Sequence, residues 1–301
     1  MIRPFIPAIC LVLASCVGPG LLTDGTTISV GNHATGALRH GTRLPFRGEG
    51  YMMPQRWRDR QRNHGTDELV QLLVRAARRV NRMHRNSLLG VADLSAAGGG
   101  STPEHRSHRS GRDVDLLYYM TDAAGKPSPP TEMIYFDREG NERVAASQPA
   151  AASASPPRTK TDRSARAPAS QPALRKIDVP RTWEAVKALV TDPETSVQWI
   201  FIGEPIAKLL LQHARRKREP AYLLERAATV MHQPSDAQTH MDHWHLRIFC
   251  SSSDRYQGCI DRGPSRWMKK ELKYADAPVE PSPLPASLAR LTLQPLRIVG
   301  L

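Results

Sequence analysis

The stretch HMDHWHLRIFC, residues 240–250, places His240, His243 and His245 within six positions and then alternates polar with apolar side chains. A period of two marks a strand with one buried face. It predicts His243, His245 and Arg247 on one face and Trp244, Leu246 and Ile248 on the other, with the apolar face packed. A second segment has the same grammar. DVDLLYY, residues 113–119, is expected to be a strand with Asp113 and Asp115 on one face and Val114 and Leu116 on the other.

Crowding imidazoles in this way has a chemical cost. Neutral rings need partners when buried, and protonated ones repel each other. A metal ion resolves both problems. Just before the second strand, EHRSHRSGRDVD adds His105 and His108, so the two windows together hold five of the eleven histidines. Zinc takes histidine nitrogen and carboxylate oxygen, and a catalytic site typically uses three protein ligands with one position left for water. One ligand from the loop and one from each strand would satisfy it. The HxH pair alone is a weak signal, but the spacing His108-x6-Asp115 beside it makes the constellation specific. The serines of HRSHRSG lack the strand–turn–helix setting of a nucleophilic serine.

The 301 residues, 40% hydrophobic and 24% charged, suffice for a sizeable core. GTDELVQLLVRAARRVNRMH reads as an amphipathic helix with Thr66 as its cap and Leu69, Leu73, Ala76, Val80 and Met83 facing inward. Further helices are expected in RTWEAVKALV, EPIAKLLLQHARRKRE and YLLERAATVM, and a strand in VQWIFI. The fold class expected is α+β, a small antiparallel sheet carrying the metal site and flanked by helices, in one domain over 25–140 and 177–263. Residues 141–176, rich in Ala, Ser and Pro, read as a disordered basic insertion, and 264–301 as a poorly ordered tail. Nearly half of the net charge of +13 falls in that insertion, where seven basic residues stand against one acidic between Arg143 and Lys176. With no recognition helix or interleaved aromatics, the charge does not point to nucleic acid.

The N-terminus, MIRPFIPAICLVLASC, has one basic residue and a short apolar run, which suits a secretory signal over 1–15. Small residues before Cys16 resemble a lipobox, in which Cys16 becomes the lipidated first residue of the mature chain; the alternative is an ordinary cleaved signal. Export would place the protein in the periplasm, and lipidation would tether it to a membrane, the outer one included. In an oxidising compartment the remaining pair, Cys250 and Cys259, is expected to form a disulfide.

The motifs Ser107-His108-Arg109-Ser110-Gly111-Arg112-Asp113-Val114-Asp115 and His240-x2-His243-x-His245 resemble SHxxGxDVD and HxxHxH of the penicillin-insensitive murein endopeptidases. These belong to the zinc peptidases grouped with lysostaphin, D-Ala-D-Ala peptidase and hedgehog relatives. SVGNHATGALRHGTRLPFRGEGY, GTDELV and VADLSAAGGG share the likeness, which covers roughly 25–122 and 177–262. It implies Zn2+ bound by His108, Asp115 and His245, with His243 as general base and His240 assisting. His105 and Asp113 are candidates for orienting the ligand histidines. Asp242, on an extended chain, would point away from His243 and is read as structural.

The implied reaction is hydrolysis of the D-alanyl to meso-diaminopimelate cross-link of peptidoglycan. Two alternatives are a zinc D-Ala-D-Ala carboxypeptidase, which needs a cation such as Arg109, Arg112 or Arg247 to capture the terminal carboxylate, and a non-catalytic wall-binding lipoprotein that keeps the metal. The sequence carries nothing on oligomeric state.

Overall fold

A computed structural model describes residues 24–143, 175–235 and 237–262. The expected signal peptide with Cys16 and the whole of the expected tail lie outside this range, as do residues 144–174 of the expected insertion. The protein is α+β. Its main sheet has seven strands, numbered here in chain order: β1 (Arg47–Gly48), β2 (Tyr51–Met52), β3 (Leu89–Val91), β4 (Asp113–Leu117), β5 (Val197–Phe201), β6 (Met231–His232) and β7 (Trp244–Ile248). They lie in the order β6-β5-β7-β4-β3-β2-β1. The four central strands are mutually antiparallel, while β5 pairs with β6, and β2 with β3, in parallel.

The centre of the sheet follows from the alternation in β4 and β7. Their register sets Trp244 opposite Leu116, His245 opposite Asp115, Leu246 opposite Val114 and Arg247 opposite Asp113. One face is therefore apolar on both strands, with Val114, Leu116, Trp244 and Leu246 fully buried. The other face is carboxylate and imidazole. Burying the apolar face stabilises the pairing by roughly 1.5–3 kcal/mol per large side chain, which in turn fixes the polar face. Trp244 belongs to the core, its indole N–H donating to the Leu117 carbonyl at 3.2 Å.

Helix α1 (Asp67–Met83) is capped by Thr66, whose hydroxyl accepts from the Leu69 amide at 3.4 Å, with Asp67 and Glu68 in the first turn where the helix dipole favours them. Leu69, Leu73, Ala76 and Val80 are buried as their spacing predicts, but Met83, expected to face inward, is 66% exposed because the helix ends there. Helix α2 (Val179–Val190) starts at the Asp178 cap and packs on α1, and α3 (Glu204–Arg216) and α4 (Ala221–Val230) pack on α2 and on each other. Among the described residues no helix is long and apolar enough to cross a membrane.

A second small sheet joins Met120–Asp122 to Pro127–Ser128 and Arg175–Ile177. Arg175 and Lys176, placed in the insertion by sequence, thus belong to a strand. The sequence signal failed because three residues are too few to display a period.

Arg112 draws the ends of the fold together. Fully buried, it donates to Ser29, to the Ile248 and Ile260 carbonyls and to Asp261. Cys250 and Cys259 form a disulfide across the adjoining loop.

Candidate metal centre

The polar face of β4 and β7 becomes a site because two loops fold over it. The first carries His105 and His108. His108 sits at φ 65°, in the left-handed region that a non-glycine residue enters only when its surroundings hold it there. Ser95 supplies that hold, its hydroxyl donating to the His108 carbonyl at 2.5 Å and accepting from the Gly111 amide at 3.0 Å. Gly99, at φ 66°, lets its segment press against the same loop: a Cβ there would lie 2.1 Å from the Arg109 carbonyl oxygen and 2.5 Å from the Leu38 nitrogen.

The second loop, residues 239–243, is fixed through its backbone. The His240 carbonyl accepts from the Tyr118 hydroxyl and from the Gly203 amide, each at 2.9 Å, and the Met241 carbonyl accepts from the Phe136 amide. Gln233 Oε1 accepts from the His240 amide at 3.0 Å and lies 3.2 Å from its Nδ1.

Four imidazoles converge on one carboxylate. Asp115 Oδ1 lies 3.2 Å from His245 Nδ1, 3.3 Å from His108 Nε2 and 3.8 Å from His243 Nε2; Oδ2 lies 3.8 Å from His105 Nδ1. Each ring has an acceptor on its other nitrogen. His245 Nε2 is 2.7 Å from Asp113, His243 Nδ1 is 2.7 Å from Asp242, His105 Nε2 is 2.9 Å from Asp93, and His108 Nδ1 is 3.2 Å from the Leu94 carbonyl. Those acceptors can only receive a proton, so each neutral ring carries its N–H on the outer side and turns a lone pair toward Asp115.

Lone pairs that face a carboxylate across little more than 3 Å need a cation between them. The buried His108 Nε2 and Asp115 Oδ1 indeed have no hydrogen-bond partner. Ligands about 2.1 Å from a tetrahedral ion stand about 3.4 Å apart, which the 3.2 and 3.3 Å separations approach. The outer carboxylates and carbonyl are the groups that orient histidine ligands. Among the described residues, His105, His108 and Asp115 present donors all within 4.8 Å of one another, a group able to hold a metal ion. His245 is the nearer of the two remaining candidates to Asp115.

The electrostatics agree. Burial pushes the Asp115 carboxyl up, but His108 and His243 outweigh it and hold Asp115 well below the usual carboxylate range. Asp113 is likewise buried, and Arg247 and His245 draw it below its ordinary value. Burial pulls His243 and His245 down, yet the aspartates facing each ring leave both raised. His240 goes the other way, to about 4, through burial and the neighbouring His243 and His245.

The first half of this site is also where comparison with known proteins speaks. Residues 29–139 match the family model for penicillin-insensitive murein endopeptidase. Proteins of that name from Escherichia coli O1:K1 / APEC, strain SMS-3-5 / SECEC and O45:K1 strain S88 / ExPEC are each 30% identical over 97 residues. The aligned segment is 32% of this chain and 34% of each relative, so the chain matches about a third of their length. The family resemblance read from the motifs is borne out over residues 29–139, which hold His105, His108, Asp113 and Asp115. His240, His243 and His245 lie beyond residues 29–139; His245 reaches the site through the pairing of β7 with β4, and His240 and His243 through the loop that precedes β7.

Four groups at the site escaped the sequence reading. Gln233 sits in no motif, and Asp93 lies in VADLSAAGGG, where its side chain was given no role. Arg247 was seen only as a possible carboxylate anchor, yet its Nε donates to Asp113 at 2.7 Å and its guanidinium lies 5.2 Å from the Phe201 ring centre. Asp242, expected to point away, accepts from the adjacent His243 because β7 begins at Trp244, so the strand alternation does not extend back to it. Arg112, another proposed anchor, is committed to the fold.

Proposed function

We propose that this chain is an exported zinc-dependent peptidoglycan D,D-endopeptidase that hydrolyses the D-alanyl to meso-diaminopimelate cross-link. The observation that carries the reading is the pair of lone pairs on His108 Nε2 and His245 Nδ1 facing Asp115 Oδ1 at 3.3 and 3.2 Å, in a chain whose first half resembles murein endopeptidases.

His108, Asp115 and His245 would hold the ion, with Asp113 and the Leu94 carbonyl orienting the two rings. Zinc in such a setting lowers the pKa of a water toward neutrality and polarises a carbonyl. His243 has its Nδ1 proton fixed on Asp242 and its Nε2 turned into the same space, so it can take a proton from the attacking water and return it to the departing amine. His240, its ring 5.2 Å from that of His243, assists as a neutral group. No serine is acylated in this scheme, which makes it indifferent to β-lactams.

The carboxypeptidase alternative asks for a guanidinium free to grip a terminal carboxylate. Arg112 and Arg247 are buried and bonded within the protein, which leaves Arg109 alone of the three candidates. Export agrees with the apolar N-terminus and with a disulfide, which persists in oxidising compartments; lipidation of Cys16 would add a membrane tether.

The test is mass spectrometry of a purified cross-linked muropeptide dimer incubated with the protein, with zinc and with a chelator. Conversion to two monomers only in the presence of metal is expected. Loss of one terminal D-alanine from an intact dimer would move the assignment to the carboxypeptidase, and an unchanged dimer beside zinc-loaded protein would favour the non-catalytic wall-binding alternative.

A further inference from the structure

We propose that Asp93 is a positioning residue of the metal centre, acting through His105. The proposal rests on the metal reading above.

Asp93 is fully buried, and one of its oxygens, Oδ2, receives both the Arg60 guanidinium at 2.5 Å and His105 Nε2 at 2.9 Å. Oδ1 is buried with no partner. A carboxylate placed only to balance Arg60 would gain most from a two-oxygen grip on the guanidinium. Here the single shared oxygen instead ties the arginine to the histidine, and the tie leaves His105 Nδ1 as the lone pair aimed at Asp115.

The backbone around Asp93 makes the arrangement stiff. The Asp93 carbonyl accepts from the Asp115 amide at 2.9 Å, and the Asp115 carbonyl accepts from the Ala92 amide at 2.8 Å. The next residue, Leu94, offers its carbonyl to His108. Two consecutive residues therefore set the direction of two histidines, one through a side chain and one through the main chain, and both are pinned to the strand that carries Asp115. Asp93 thereby holds the His105 ring with Nδ1 toward the Asp115 carboxylate, and Arg60 holds Asp93 in place.

The experiment is a zinc-affinity cycle on the full-length chain: wild type, Asp93→Ala, His105→Ala and the double variant, with the absorption spectrum of the cobalt-substituted proteins alongside. Asp93→Ala and His105→Ala should each weaken zinc by about 10–100-fold. The double variant should be no weaker than His105→Ala, because Asp93 acts only through that ring. The cobalt bands should shift in Asp93→Ala and be indifferent to Asp93 once His105 is gone. Wild-type affinity in either single variant, or losses that add in the double, would overturn the proposal. If Asp93→Ala does not fold, Asp93→Asn, which keeps an acceptor oxygen, carries the same cycle with a smaller expected loss. A wild-type chain that binds no zinc would overturn the metal reading itself, and this proposal with it.

Discussion

His245 and Asp115 stand directly opposite each other on neighbouring antiparallel strands, with Nδ1 and Oδ1 3.2 Å apart and Asp113 behind the imidazole. Sheet register alone creates this contact, so the pair is as rigid as the centre of the fold.

That relationship separates the proposed ligands from the proposed proton-transfer group. Asp115→Ala, His108→Ala and His245→Ala should abolish or severely weaken zinc binding, whereas His243→Ala should retain the metal and lose turnover by about 10²–10⁴-fold. Metal content by elemental analysis, measured beside hydrolysis of cross-linked muropeptide, separates the two classes. A His245→Ala protein that keeps full metal and activity would refute the ligand assignment.

Among the described residues, Asp113 is the sole carboxylate bonded to the buried Arg247. Asp113→Ala should strand that guanidinium in a dry environment and cost about 3–5 kcal/mol in urea unfolding of the metal-free protein. The paired change Asp113→Ala with Arg247→Met should recover part of the loss.

Stability of the metal-free protein should pass through a maximum near pH 6.5. His240 and His33 are both lowered to about 4 from the ordinary 6.5 by burial, helped by His243 at the one and Arg247 at the other. Between those values the unfolded chain binds more protons, so stability is lost as pH falls through this window. His243 and His245 are raised, so their contribution is complete below 6.5 and disappears as pH rises through their folded values. Urea titrations across pH 4–8 in chelator would read both limbs, and His33→Asn should flatten the acid one. A curve that rises steadily to pH 8 would contradict the shifts.

Reducing the Cys250–Cys259 bridge, or replacing both cysteines by serine, should cost about 2.5 kcal/mol by the chain-entropy relation for a separation of 9 residues. Thermal melts with and without reductant test this, and zinc content should be unaffected.

Gly99→Ala should destabilise the His108 loop, since the added methyl meets backbone on two sides in a conformation that alanine disfavours. The expected signature is a lower melting temperature together with weaker zinc binding, because the same loop carries His108.

The strands β4 and β7 and the four long helices were legible in sequence because each is long enough to display its period and, for α1, its cap. The histidines and aspartates of the polar face followed from the same alternation. The positions of Asp93 and Gln233 were not legible: each is a single polar residue outside any repeat, brought to the site by hydrogen bonds that only the folded chain defines. Asp242 was misplaced because alternation was extended one turn too far, past the start of the strand. Arg112 read as a possible carboxylate anchor and proved to be a buried charge bonded to Ser29, Ile248, Ile260 and Asp261, a role that no local pattern announces.

The small sheet that flanks the unmatched middle of the chain brings position 142 next to position 175, where the Glu142 amide donates to the Arg175 carbonyl at 2.8 Å and Asn141 bridges to Lys176. Both margins of the intervening segment are thus stapled together independently of its content. Closing such a loop grows costlier by only about 0.6 kcal/mol for each doubling of its length. The pairing that sets His245 against Asp115 is therefore anchored on both sides of residues 143 and 175 by bonds of its own.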